Sequence, residues 1–444
     1  MATNYCVVGQ GTATSGSATV TGSPKRLVPG ANTVTVTTTV ANQTFTVTMC
    51  TGTSASVASG TATVSGSPVN CAQGAVTTIT ITNVITNGTV TITVTYGSTG
   101  NFSSGYSWSS SSGGTPNTGA ALSSSVSVIF DANSFTAAGQ TVTLDAAESV
   151  LNMDWTGATN SPTFDLSSSA YYLSVYGNIT FISAMSMING TTYGITIAMG
   201  SGTQTLTTNG LTITPLITIN GGSALSLSDT CTLTQYLNMN ANSTLTTNNN
   251  TCNFNNGIVF IQAFAGRIIN LGSSTINLGG YGLYQNIGTE PFTINAGMST
   301  INLNSAYFYG GGNTFYIVNF LAPATTIYGS NTFAQFTLAS GTAQTITFTD
   351  GTTQTAASLS LSGSAGNVHT LQGSSTGDWN ITYTGAGQLL MDYISVSYST
   401  ASPTNTFYDY THGTNGGNNT NWYFNAPTVG GTISAIPLGF IHGE

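Results

Sequence analysis

The sequence predicts an all-β protein: a β-sandwich at the N-terminus, then a right-handed parallel β-helix. Three observations carry that reading. Hydroxyl and aliphatic residues alternate with a period of two, as in Thr89-Val90-Thr91-Ile92-Thr93-Val94, which gives a strand one buried and one wet face. Charged residues make up only 3% of the 444 residues, too few to coat helices. Short, weak repeats recur at a drifting spacing of about 20–25 residues, the length of a solenoid turn.

Composition also excludes functions. Twelve acidic residues face three basic ones, Lys25, Arg26 and Arg267, for a net charge of −9. Three cations cannot neutralise a phosphate backbone, so nucleic acid is excluded as a partner. Thr, Ser, Asn and Gly make up roughly half the chain, well above ordinary usage. The apolar fraction of 40% nevertheless favours collapse over disorder. No stretch approaches the ~18 apolar residues of a membrane span. The start, Met1 to Cys6, lacks the basic and apolar regions of a signal peptide, so synthesis in a cytoplasm without standard export is expected.

The first region, 1–98, carries a duplication. Ser17-Ala18-Thr19-Val20-Thr21-Gly22-Ser23-Pro24 recurs as Thr61-Ala62-Thr63-Val64-Ser65-Gly66-Ser67-Pro68, and Phe45, Val47 and Met49 match Val90, Ile92 and Val94. Each copy reads as three strands, and two copies packed face to face would form one sandwich. Residues 99–126 are rich in Ser and Gly and read as a linker, with Phe102, Tyr106 and Trp108 hinting at docking.

Region 127–424 reads as the β-helix. Asp229-Thr230-Cys231-Thr232-Leu233 matches Asn250-Thr251-Cys252-Asn253-Phe254 at an offset of 21, and Ser274-Thr275-Ile276-Asn277-Leu278 matches Ser299-Thr300-Ile301-Asn302-Leu303 at 25. Gly312-Asn313-Thr314-Phe315 and Ser330-Asn331-Thr332-Phe333 lie 18 apart. At ~22 residues per turn the region would hold about 13 turns. No helix-forming half exists, which excludes leucine-rich repeats, and a propeller needs a longer period. Residues 425–444 lose the alternation and read as a cap or a docking tail.

Cysteines 6, 50, 71, 231 and 252 form no C-x-x-C or Cys/His cluster, so zinc is not expected, and no cofactor is implied. Cys231 and Cys252 read as small apolar residues stacked in a core, with a disulfide between turns as the alternative. A pair among Cys6, Cys50 and Cys71 stays open.

The segment Gln344-Thr345-Ile346-Thr347-Phe348-Thr349-Asp350-Gly351-Thr352-Thr353-Gln354-Thr355, with Asp378-Trp379-Asn380, Met391-Asp392-Tyr393-Ile394 and the closing Gly416-Gly417-Asn418-Asn419-Thr420-Asn421-Trp422, resembles a β-helix terminal module of tailed-phage structural proteins, tail fibres especially. The duplicated N-terminal region is similar to immunoglobulin-like decorations of phage proteins. The resemblance covers about 100 residues of the chain well. It implies a virion protein with a receptor-facing task and carries over no catalytic residues. The expectation is a non-enzymatic tail-fibre or host-attachment component. It would be a homo-oligomer, most simply a trimer, joined to other virion proteins through its N-terminal domain, with host surface glycan as a partner. A capsid decoration or head-fibre protein, a polysaccharide-cleaving tailspike and a bacterial surface adhesin are the alternatives.

Two sets of side chains are candidates for chemistry. Asp350, Asp378, Asp392 and Asp409 lie one or two turns apart and could form an acid–base pair, although turn and cap roles suit Asp equally. His369, His412 and His442 show no catalytic or metal spacing. Among aromatics, Tyr383, Tyr393, Tyr398, Tyr408, Tyr410 and Trp422 crowd the C-terminal end, and Tyr284 and Tyr309 occupy matching places in the 25-residue repeat. These eight are the receptor-contact candidates, with packing and subunit interfaces as the competing use of such rings.

Overall fold

The computed structural model describes residues 2–6, the backbone of ten strands between 11 and 96, and 99–424 apart from 115–117, 168–170, 189–193, 199–201, 262–264 and 286–289. The tail 425–444 lies outside the described residues. Two compact units divide the chain, Met1–Asn304 and Ser305–Glu444. About 12 turns of parallel β-solenoid fall within residues 128–415.

In the first unit each turn lays one short strand on each of three sides. One sheet runs from Val126–Ile129 through Met153–Asp154, Ile179–Thr180, Thr203–Thr207, Ala224–Leu227, Thr244–Thr246 and Arg267–Asn270 to Phe292–Asn295. A second takes Glu148–Val150, Leu173–Val175, Gly194–Ile197, Leu216–Ile219, Leu237–Met239, Ile258–Phe260 and Leu283–Gln285. A third face carries Thr141–Thr143 to Ser186–Ile188, then a separate sheet from Thr212–Ile213 to Thr300–Leu303.

The repeats in the sequence are the register of this pairing. Cys231 lies beside Cys252, and Ile276 beside Ile301. Leu225, Leu245 and Ile269 stack inward and are buried, while their neighbours Ser226, Thr246 and Asn270 face out. Cys231 and Cys252 are both free and buried, as small core residues. Burial pushes both thiols up, that of Cys252 to about 12.

Outward amides tie the turns together without charge. Asn253 Nδ2 donates to Thr232 Oγ1 at 3.0 Å, Asn277 Nδ2 to Asn253 Oδ1 at 2.7 Å, and Asn302 Nδ2 to Asn277 Oδ1 at 2.8 Å. Each amide donates to one turn and accepts from the next, so the row is self-satisfying. Arg267 breaks the inward pattern. It is 0% exposed, its Nε donates to the Met239 carbonyl at 2.8 Å, and its guanidinium lies 4.8 Å from the centroid of the Phe260 ring.

The N-terminal boundaries differ from expectation. Ala2–Cys6 pairs in parallel with Val126–Ile129, so these residues form a rung of the solenoid rather than part of a sandwich. The stretch 99–126, expected as a linker, is built in as well. Thr99–Asn101 pairs in parallel with Thr141–Thr143, and Trp108 pairs antiparallel with Cys6. Phe102 and Trp108 are buried against Phe164 and Phe130, because the solenoid's open end must cover its core. The two antiparallel five-stranded sheets of residues 11–96 are therefore inserted between rungs 2–6 and 99–101.

Among the described residues the duplicated copies have five strands each, where the sequence suggested three, and the copies share sheets. Gln43–Thr51 of the first copy pairs with Val76–Asn83 of the second, and Gly30–Thr37 with Thr89–Tyr96. Each sheet thus contains strands of both copies. How these sheets pack on one another involves side chains outside the described residues.

In the second unit the long strands Thr314–Phe320 and Thr332–Leu338 have 7 residues each and Thr353–Ser360 has 8. They pair in register, Phe315 beside Phe333, which is the 18-residue repeat. Their partner sheet runs from Tyr307–Tyr309 to Thr414–Asn415, and a third, short sheet joins Leu389–Met391, Phe407–Asp409 and Trp422–Phe424. The core is aromatic: Phe320 and Phe336 have ring centroids 4.5 Å apart, and Phe348 stacks on Trp379 at 3.8 Å.

Candidate functional site

Two places gather polar chemistry. The first is in the second unit. Asp392 follows the short strand Leu389–Met391, and His412 lies 20 residues further on, one turn away. His412 Nδ1 meets Asp392 Oδ2 at 2.9 Å, and the His412 backbone N–H donates to Asp392 Oδ1 at 2.9 Å. The imidazole is sandwiched on its free side by Tyr393, ring centroids 4.1 Å apart and nearly parallel. Tyr393 adopts a left-handed backbone, φ 56°, which costs about 1 kcal/mol or more in a bulky residue.

Asp409, at the end of Phe407–Asp409, is 1% exposed, and neither carboxylate oxygen has a well-formed hydrogen bond. Burial, with the Asp392 charge added, pushes its carboxyl up to about 7; the nearby Ile394 N–H and His412 offset part of the rise. Burial also raises Asp392, but the bonds it accepts from the side chain and backbone of His412 and the backbone of Tyr393 outweigh that and hold it below the ordinary carboxylate range. Gly413 presses on Asp409 so closely that a Cβ there would collide with the carboxylate. The pairing of Asp392 with His412 escaped sequence reasoning. Their 20-residue offset, a one-turn spacing, was the available signal.

Of the other two candidates, Asp350 ties a turn with its carboxylate and Asp378 meets the same turn only through its backbone. Asp350 accepts from the Ser374 hydroxyl at 3.0 Å and the Ser375 N–H at 3.1 Å, one turn on, and also from the Ser375 hydroxyl. Those bonds, the Ser375 hydroxyl's first, hold its carboxyl below the ordinary range. The Asp378 carbonyl accepts the Gly351 N–H at 2.8 Å. His369 is 0% exposed with no well-formed hydrogen bond to either ring nitrogen, and burial lowers its basicity, offset in part by the backbone of Ser362.

The second place is a trough of about 440 Å³ on the outside of the first unit. Its floor is one outward row of the second sheet, Ser174, Thr196, Thr218 and Asn238, in register on four successive turns. Two residues earlier in each strand lie Tyr172, Gly194, Leu216 and Tyr236; two residues later on the last turns lie Asn220 and Asn240. Gly194 matters here, because a Cβ would collide with the Leu216 carbonyl. Tyr236 meets Tyr281 edge-on at 6.1 Å, and Tyr281 meets Tyr284 at 5.5 Å.

The aromatic candidates separate by environment. Trp422 is buried against Phe407, and its Nε1 donates to Ser399 Oγ at 3.0 Å, so it is a core residue. Tyr408 is buried and stacks on Tyr423 at 4.9 Å. Tyr309 stacks on Tyr328 of the next turn at 3.9 Å. Tyr383, Tyr393, Tyr398 and Tyr410 are half-buried, with the Tyr383 hydroxyl donating to the Ala386 carbonyl at 3.2 Å. Tyr284 adjoins the trough through Tyr281. Tyr172 and Tyr236, which line it, were not singled out by sequence, since the turn lengths that align them vary. Among the described residues no group of three or more His, Cys, Asp or Glu side chains is placed to hold a metal ion. No family model, curated protein or solved structure matches the chain.

Proposed function

We propose that this is a non-catalytic structural protein of a tailed-phage particle, acting in host attachment as a homo-oligomer. In this reading the solenoid is right-handed and the inserted duplicated sheets are an immunoglobulin-like attachment domain. The observation that carries it is the charge-free bonding of turn to turn. Amide rows such as Asn253, Asn277 and Asn302 give a stiff coil whose faces offer hydroxyls and amides to neighbouring subunits and to glycan. The terminal module that resembles tail-fibre proteins supports the same role. Antibody against the chain, viewed on intact particles by electron microscopy, should mark the tail. Label on the capsid would favour the decoration alternative, and label absent from particles would contradict the reading.

A second reading, polysaccharide cleavage, is favoured by Asp409 and Asp392, whose environments drive their carboxyls in opposite directions, as acid and base require. The burial of Asp409 under Gly413 weighs against access by a sugar.

A further inference from the structure

We propose that the trough over Ser174, Thr196, Thr218 and Asn238 is a binding site for an uncharged oligosaccharide lying along the stack of turns. This gives the attachment reading its ligand and rests on that reading. Three features of the trough point to this chemistry.

The lining is wholly neutral: hydroxyls and amides on the floor and side, with Tyr172, Tyr236, Leu216 and Ile261 as its larger surfaces. No cation is present to meet an anionic sugar, and the chain's net charge of −9 repels one. The floor repeats at the spacing of the turns, about 4.8 Å. A polymer of repeating hydroxylated units therefore meets a hydrogen-bonding side chain at each step, a hydroxyl on three rungs and an amide on the fourth.

The rings stand where a chain of sugars would need them. Tyr172 and Tyr236 occupy equivalent places three turns apart, roughly 14 Å. Tyr172 is 42% exposed. Gly194, between Tyr172 and Leu216, is buried and packs so tightly on the Leu216 backbone that no side chain fits there, which leaves the two rings with no third side chain in the rung next to Tyr172. Apolar ring faces with polar groups between them match the mixed surface of a hexose.

Asn238 supplies independent evidence of an absent partner. It is 8% exposed, its Nδ2 reaches Asn240 Oδ1 only at 3.4 Å, and its Oδ1 has no hydrogen-bond partner. A buried amide oxygen left unpaired costs about 1–3 kcal/mol, and a side-chain rotation that turns the Asn238 amide to a ligand in the trough would recover it. The equivalent outward amides Asn253 and Asn277 are paired along their row.

The test uses the full chain and a panel of uncharged hexasaccharides built from glucose, mannose, galactose or N-acetylglucosamine, with hexagalacturonate as the anionic comparison, read by isothermal titration and ligand-observed NMR. At least one uncharged member should bind, with affinity little changed by added salt. Tyr236→Ala should weaken it roughly tenfold and Thr218→Val several-fold, while Tyr316→Ala, an exposed ring in the other unit, should leave it unchanged. The proposal is overturned if no uncharged member binds at about millimolar concentration, if hexagalacturonate alone binds, or if Tyr236→Ala binds as tightly as the parent. Antibody labelling of particles is a separate readout. A tail-labelled chain that binds no glycan removes the trough and keeps the attachment role; a glycan-binding chain absent from particles removes the attachment role.

Discussion

The two units solve the same problem with different materials. In the first, rings such as Trp108, Phe130, Trp155 and Phe164 fill the initial turns, later turns stack aliphatic residues such as Leu225, Leu245 and Ile269, and outward Asn and Thr rows add bonds between turns. In the second, strands carry paired aromatics, Phe315 on Phe333 and Phe348 on Trp379, and the interior also holds Asp409 and His369, buried with no well-formed side-chain hydrogen bond. A solenoid can thus be specified by repetition of small polar contacts or by a few large rings. The second unit also buries titratable groups with poorly formed hydrogen bonds, which are costly. The repeat-based unit keeps its outward face open for recognition.

Substitutions should expose that difference. The largest effect is expected at the rings: Phe333→Ala should cost about 3–5 kcal/mol by denaturant titration, because Phe333 touches Phe308, Phe315, Phe320 and Phe336. A loss near that of an exposed residue would break the contrast between the units.

Next comes Asp409→Asn, with the opposite sign. The folded chain holds a proton on Asp409 up to about pH 7, whereas the unfolded chain releases it at the ordinary carboxylate value of 3.8. Stability from this group is therefore full below pH 4 and lost as pH rises to about 7. The asparagine variant should gain on the order of 4 kcal/mol at pH 8 over the parent and nothing at pH 4. A pH-independent difference would refute the buried-carboxylate account. The same variant should leave host polysaccharide as intact as the parent does; parent-only release of reducing ends would instead establish cleavage.

The smallest effect belongs to the amide row. Asn277→Ala removes one bond to Asn253 and one from Asn302 and should cost about 1 kcal/mol. A much larger loss would mean that the row, not the aliphatic interior, holds the first unit together.

The solenoid was legible because parallel stacking imposes itself on sequence. A residue's partner is one turn away, so the 18-, 21- and 25-residue matches are the observed pairings of Phe315 with Phe333, Cys231 with Cys252 and Ile276 with Ile301. Local patterns could not show where Ala2–Cys6 would go, because its partner at Val126–Ile129 lies beyond a whole inserted region. They also hid Asp392 and His412, since turn length drifts from 18 residues at Phe315 to 27 at Ile179, beside Leu206. Only knowing each turn's length aligns such pairs. The burial of Trp422 reflects the same limit: its ring faces inward against Phe407, a strand three residues long whose phase is too short to read.

The central claim is that successive turns stack in parallel at these registers. Spin labels at Thr232→Cys and Asn277→Cys, in a chain whose native cysteines are alanine, test it directly, since both positions share one outward row with Asn253 between them. Electron paramagnetic resonance should give strong dipolar broadening from backbones about 10 Å apart, two strand spacings. Spectra equal to the sum of the two single-label spectra, in a chain whose circular dichroism remains that of a folded β protein, would contradict the stacked coil.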